Sequence, residues 1–228
     1  WYRHLPGAYI VEQEHQILDK LLPLMPGACL LQIGGPSDGQ LVAASSIKAK
    51  YYLSTEHVPS HSGQRVQVDL HALPILEDSV DVVVIVHLMG FCHQPSQLLQ
   101  EAYRCLKPGG QLIILGFNHW SFWSLLRMRK RRKGYPWQGH FQSVYQLRRW
   151  LYRIGYHVMM SRTLCFFPPE HKRRSDKWQH FIETFAKICL PGVGSVYYVV
   201  AQKQAIGSDP LVSDWLHKKL SIKEIRPE

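Results

Sequence analysis

Several short patches of this chain carry residue types that suit a ligand better than a core. Gly34 and Gly35 end the run ACLLQIGG, and with no Cβ in the way their backbone N–H groups can approach a bound molecule. Glu56 stands 17 positions beyond Gly39. That is close to the offset of about 20 found in nucleotide-binding βαβ units, where a carboxylate accepts from a ribose diol. Asp69 and Leu70 stand just before Ala72-Leu73-Pro74, and a carboxylate there can accept from an adenine amino group. His87 ends the run VDVVVIVH, while His119 and His140 follow later. An imidazole that titrates near pH 6.5 suits proton abstraction, and sequence alone leaves the choice among the three histidines open.

These residues need elements that carry them to one place. EQEHQILDKLLPLM at 12–25 spaces Ile17, Leu18, Leu21 and Leu22 along a helical face. ACLLQIGG, AKYYLSTEH, a short stretch in QRVQVDLHALP and the β-branched SVDVVVIVHLMG read as strands, the last of them central. PSDGQLVAASS begins like a helix, and QPSQLLQEAYRCLK reads as one with Ser96 at its N-cap. CLKPGGQLIILGFN then turns at Pro-Gly-Gly and enters a strand without strict alternation, as expected of a strand covered on both faces. SVYQLRRWLYRIGYHV predicts a helix stopped at Gly155, and HVMMSRTLCFF and GSVYYVVAQKQ predict late strands. Strands alternating with helices predict a doubly wound α/β sheet, whose ligands gather at the carboxyl ends of the strands. Asp81, in contrast, reads as a structural residue at a strand start.

The chain has 228 residues, 46% hydrophobic and 19% charged, which suits a globular domain with an elaboration. No apolar stretch approaches the roughly 20 residues that span a bilayer. Cys29, Cys92, Cys105, Cys165 and Cys189 form no CxxC pair, so they are expected to be reduced, mostly core thiols and no metal site is expected. The charge is uneven. Residues 1–126 hold 7 basic and 10 acidic side chains, and residues 127–228 hold 20 and 7. The run RMRKRRK at 127–133 therefore predicts either an anionic surface or RNA as a contact for the second half, against the plainer expectation of a solvated helix face.

The stretch from Val66 to Asn118 also resembles a family. D-x-x-x-L-P at Asp69–Pro74, S-V-D-x-V at Ser79–Val83 and E-x-x-R-x-L-K-P-G-G at Glu101–Gly110 follow in order, as in small bacterial class I S-adenosylmethionine-dependent methyltransferases. The resemblance implies a Rossmann-like α/β fold, doubly wound, with a mostly parallel seven-stranded sheet and helices on both faces. It implies one methyltransferase domain over 1–204, with a cofactor half at about 28–118, a substrate-side elaboration at about 119–190 and a peripheral tail at 205–228. It implies S-adenosyl-L-methionine as cofactor. Gly34 and Gly35 would lie under its methionine part, Glu56 at the ribose hydroxyls, and Asp69 and the Leu70 N–H at the adenine, with His87 lining the pocket. The family's glycine loop usually reads D-x-G-x-G-x-G. Here Gln32 replaces the acid and Pro36 the second glycine, so Gln32 would hold the cofactor's amino group, or a water, without charge.

The function this implies is methyl transfer to a small-molecule or lipid-like acceptor, in the cytoplasm, with the inner face of the membrane as a station for the basic segment. An RNA methyltransferase using the basic half and a degenerate, non-catalytic binding protein are the rival expectations. No Asn/Asp-Pro-Pro-Tyr motif follows the fourth strand, which argues against an adenine or glutamine amino methyltransferase of that type.

Overall fold

The computed structural model describes residues 7–36, 40–54, 65–121, 139–165 and 194–204. Helix α1 spans Gly7–Leu21, and strands β1 (Cys29–Gly34), β2 (Ala49–Ser54), β3 (Arg65–Gln67) and β4 (Val80–Val86) follow. Helix α2 (Pro95–Cys105) leads into β5 (Leu106–Phe117), and helix α3 (Val144–Ile154) into β6 (Tyr156–Leu164), before β7 (Val196–Lys203) closes the set. The strands form one seven-stranded sheet in the order β3-β2-β1-β4-β5-β7-β6. Neighbours from β3 to β5 pair in parallel, and β7 runs antiparallel between β5 and β6. This is the doubly wound, mostly parallel sheet expected from the sequence.

Alternation along β4 explains why the sheet is covered on both faces. Val83 and Ile85 pack with Leu98, Leu99 and Ala102 of α2 and with Leu147 and Leu151 of α3. Val82, Val84 and Val86 pack with Leu18 and Leu21 of α1. Each such side chain contributes about 2 kcal/mol by leaving water, so a strand apolar at every position is stable only between two helical layers. Register levels the strand ends, because Gly34 pairs with Val86 and Val86 with Leu115. The carboxyl ends of β1, β4 and β5 therefore open onto one edge.

Three local expectations change. Helix α2 begins at Pro95 rather than after Ser96; Gln94 is its N-cap, with no side-chain cap bond, because proline is preorganised for the first helical position. PSDGQLVAASS forms only a 3-10 turn at Gln40–Val42 among its described residues. The Pro-Gly-Gly turn lies inside β5 rather than ahead of it: pairing with β4 jumps from Val80–Leu106 to Val82–Gln111, and Gly109 takes φ +79°. Helix α3 ends as predicted at Gly155, which is left-handed, and the structure adds an N-cap, Ser143 Oγ accepting from the Gln146 amide (3.2 Å).

Candidate functional site

The glycine turn after β1 is held against the end of β4. A Cβ on Gly34 would lie 2.6 Å from Leu88 Cγ and one on Gly35 2.6 Å from Val86 Cγ1, at φ of +76° and +80°. Only glycine fits both the space and the backbone. Beneath the turn, Gln32 is 2% exposed, and its Nε2 donates to the carbonyls of Gly34 (2.9 Å) and Pro36 (3.4 Å). A neutral amide thus replaces the expected acid by tying the loop through its NH₂ group. Its Oε1 is buried with no hydrogen-bond partner among the described residues. An unmatched buried acceptor costs about 1–3 kcal/mol, so it is a feature that a ligand donor would relieve.

At the end of β3, Asp69 is exposed and its Oδ1 accepts from the His71 amide at 2.9 Å. The carboxylate therefore caps its own turn. Leu70 is 8% exposed beside it. Glu56, the expected ribose partner, lies outside the described residues, as do Phe122, Trp123, the basic run 127–133, Cys189 and the tail 205–228.

His87, directly after β4, is buried and adopts φ +55°. Strand alternation would put it on the α2 side with Ile85. The left-handed backbone instead brings its ring against Phe117, with centroids 4.3 Å apart, and Phe117 stacks in turn on Phe141. Its Nε2 meets the carboxylate of Glu14, whose two oxygens lie at 2.9 and 3.1 Å. Glu14 belongs to α1 and is 0% exposed. Sequence reading missed this residue. The available signal was a glutamate in phase with Ile10, Leu18 and Leu21 on the buried stripe of α1.

The segment after β5 packs across the same edge. Asn118 is buried, and its Nδ2 donates to the carbonyls of Gly194 (2.9 Å) and Trp120 (3.2 Å), so its amide ties loops together. Gly116 makes room for Tyr197, since a Cβ there would lie 2.5 Å from the Tyr197 ring. The Tyr197 hydroxyl is buried without a partner among the described residues, and burial pushes it far above its ordinary pKa. His119 and His140 are exposed. His119 meets Trp120 edge-on at 5.6 Å, and the His140 amide donates to Gly90 O at 2.6 Å. The structure thus brings Gln32, Gly34, Gly35 and His87 together through the β1–β4 contact. It sets His119 and His140 at the outer rim.

The opposite edge holds a different chemistry. Asp81 accepts from the amides of Ala28 and Cys29 and from Lys107 Nζ, at 2.9 Å or just beyond. Burial pushes its carboxyl up, but those hydrogen bonds outweigh burial and hold it below the ordinary range. Asp81 is the structural residue expected. Among the described residues no group of three or more His, Cys, Asp or Glu side chains is placed to hold a metal, and no helix is long and apolar enough to cross a membrane.

The family model described as "Methyltransferase domain" matches residues 40–114. The uncharacterized protein YafS of Escherichia coli is 28% identical over 183 residues, which cover 80% of this chain and 71% of that protein. A demethylmenaquinone methyltransferase of Protochlamydia amoebophila is 34% identical over 116 residues, covering 45% of this chain and 46% of the relative. Among solved structures, a SAM-dependent methyltransferase of Thermotoga maritima superposes with a TM-score of 0.63 at 19% identity, covering 86% of this chain and 90% of that one. At that identity the likeness establishes the fold.

Proposed function

We propose that this chain, a member of the S-adenosylmethionine-dependent methyltransferase family through the domain at residues 40–114, binds S-adenosylmethionine at the carboxyl edge of its sheet and passes its methyl group to a small aromatic hydroxyl compound. The observation that carries the reading is the glycine turn closed against Val86 and Leu88, with Gln32 Oε1 buried and unmatched beneath it.

These residues fit the cofactor. Gly34 and Gly35 leave backbone where an amino-acid moiety packs, and Gln32 Oε1 offers an acceptor to an ammonium group. Asp69 keeps one carboxylate oxygen beyond its turn bond, and the Leu70 amide stands next to it, a pair suited to the adenine edge. Glu56 is assigned to the ribose on sequence position alone. When bound, the cofactor supplies a methyl group already activated on a sulfonium. The chain's part is to align the acceptor with that methyl, exclude water and remove a proton where the acceptor carries one.

His87, Phe117 and Phe141 stack as a buried ladder that belongs to the core behind the ends of β4 and β5. The aromatic acceptor class is supported instead by a relative. The Protochlamydia amoebophila relative is itself named for demethylmenaquinone.

Thermal denaturation with added cofactor tests the proposal. A ligand that binds only the native state at 100 times its Kd stabilises it by about 2.7 kcal/mol, so S-adenosylmethionine and S-adenosylhomocysteine should each raise Tm by several degrees. An unchanged Tm at millimolar cofactor would contradict it and favour a non-catalytic binding protein.

A further inference from the structure

Helix α3 turns two different chemistries inward and outward. Leu147 and Leu151 are wholly buried, and Trp150 and Ile154 pack beside them against the core. The outer face carries Tyr145 (73% exposed), Arg148, Arg149, Tyr152 (82% exposed) and Arg153, at the i, i+3, i+4, i+7 and i+8 positions that share one side of a helix. No acid answers these charges along the chain: residues 139–165 hold four arginines, no lysine and no Asp or Glu. None answers them in space either. Arg104, Lys107 and Lys203 each close on a carboxylate, whereas the side chains of Arg148, Arg149 and Arg153 have no ion pair or hydrogen bond among the described residues. A helix face that only meets water commonly pairs opposite charges at i,i+4, but Arg149 and Arg153 set like charges there, at a cost to the helix. Beside this face lies a groove of about 480 Å³ between α2 and α3, lined by Ser96, Gln100 and Tyr103 of α2 and Trp150, Arg153 and Ile154 of α3. That volume is typical of small-ligand sites and ample for a nucleobase.

We infer that the outer face of α3 and the groove beside it bind single-stranded RNA, with Arg148, Arg149 and Arg153 on phosphates, Tyr145 and Tyr152 as stacking surfaces and one base lodged against Trp150. The inference goes beyond the methyltransferase reading and gives RNA no part in methyl transfer. Charge complementarity selects a polyanion, and the exclusive use of arginine suits phosphate, which its planar fork meets with two hydrogen bonds. Aromatic rings interleaved with those cations select a strand whose bases are free to stack; in a duplex they are already stacked on one another. An anionic membrane is the weaker fit. A helix that lies on lipid presents an aliphatic face to it, and α3 has already buried its leucines in the core. The Ser96 hydroxyl and the Gln100 amide, which also have no partner among the described residues, give the groove groups that can meet a base edge or a ribose 2′-hydroxyl.

The test is fluorescence anisotropy of a labelled, mixed-sequence RNA strand of about 12 nucleotides, titrated with the full chain at salt from about 50 to about 200 mM. Log affinity should fall linearly with log salt. Arg148→Gln, Arg149→Gln and Arg153→Gln should each lower that slope by about 0.7 and weaken binding several-fold. Tyr152→Ala should weaken binding about tenfold with the slope unchanged, because stacking releases no counterion. The same sequence as DNA, and a duplex RNA, should bind more weakly. The substituted side chains are exposed, so Tm and the calorimetric affinity for S-adenosylhomocysteine should stay at wild-type values in every variant. Absence of RNA binding at the lowest salt would overturn the inference, and so would binding that the triple arginine variant leaves intact. A Tyr152→Ala variant with wild-type affinity would overturn it too, by reducing the contact to charge alone. DNA or duplex RNA bound as tightly as the RNA strand would contradict the single-stranded RNA assignment. Co-sedimentation with phosphatidylglycerol vesicles, lost in the triple variant and unaccompanied by RNA binding, would replace it with a membrane surface.

Discussion

The two edges of the sheet are built from the same residue types and use them in opposite ways. At the amino edge, charges close on fixed partners. Lys203 Nζ donates to Asp78 Oδ1 (2.7 Å) and to the carbonyls of Tyr103 (2.9 Å) and Leu106 (2.8 Å), and lies 4.6 Å from the Tyr103 ring centre. Asp81 is saturated by two amides and Lys107. Arg104 spans Glu101 and the carbonyls of Leu73 and Ile75, fixing that loop to α2. At the carboxyl edge, hydrogen-bonding capacity is left over. Gln32 Oε1, His71 Nδ1, Ser195 Oγ and the Tyr197 hydroxyl are buried without partners among the described residues. A finished network rigidifies a fold, and an unfinished one at a strand-end edge is what a ligand completes. On the proposed reading, the difference separates structural polarity from functional polarity within one chain.

The largest effect expected is at the finished edge. Lys203→Met strands the Tyr103 and Leu106 carbonyls in the interior and should cost about 3 kcal/mol, a Tm fall of roughly 6–12 °C, with S-adenosylhomocysteine affinity unchanged in the folded fraction. A loss of affinity without a loss of stability would erase the contrast between the edges. Gly34→Ala is the converse. Positive φ alone costs about 1–2 kcal/mol, and the clash with Leu88 displaces the turn, so binding should weaken by more than about tenfold in a calorimetric titration. Asp69→Ala should act more gently, because its carboxylate also caps a turn. A loss of about tenfold in affinity, beside the small fall in Tm expected from the lost turn bond, is the outcome that keeps it in the site.

Acid separates the edges in another way. The carboxyl of Asp81 is held below its ordinary value, as is that of Glu101 through the hydrogen bond from Arg104. Their folded values lie below their unfolded ones, so the unfolded chain takes up protons first as pH falls. The stability they contribute is full above about pH 4 and drains away below it. Asp81→Asn should therefore flatten the acid limb of a Tm-against-pH curve, and an unaltered limb would show that Asp81 carries no such role.

Much of the fold was legible in the sequence for a physical reason. The run from Val82 to Val86 is apolar at every position, which only a doubly covered strand tolerates, and Gly155 marks the end of α3 through local backbone chemistry. The glycine turn was legible too, because φ and close approach exclude other residues there. What escaped was set by contacts distant in sequence. Glu14 meets His87 across 73 positions, and nothing local in EQEHQ announces a partner. The turn of the His87 ring onto the α1 side is likewise a backbone event that alternation along β4 predicts in the opposite sense. The spacing of Asp69 allows either a ligand group or a turn cap, and the structure shows its carboxylate accepting the His71 amide.

The most direct test is isothermal titration of the wild-type chain, Gly34→Ala and Asp81→Asn with S-adenosylhomocysteine. The account predicts one site per chain in the wild type, the same affinity in folded Asp81→Asn, and a loss of more than about tenfold in Gly34→Ala. No binding heat in the wild type at millimolar ligand, or equal affinity in wild type and Gly34→Ala, would contradict the claim that the carboxyl edge is the cofactor site.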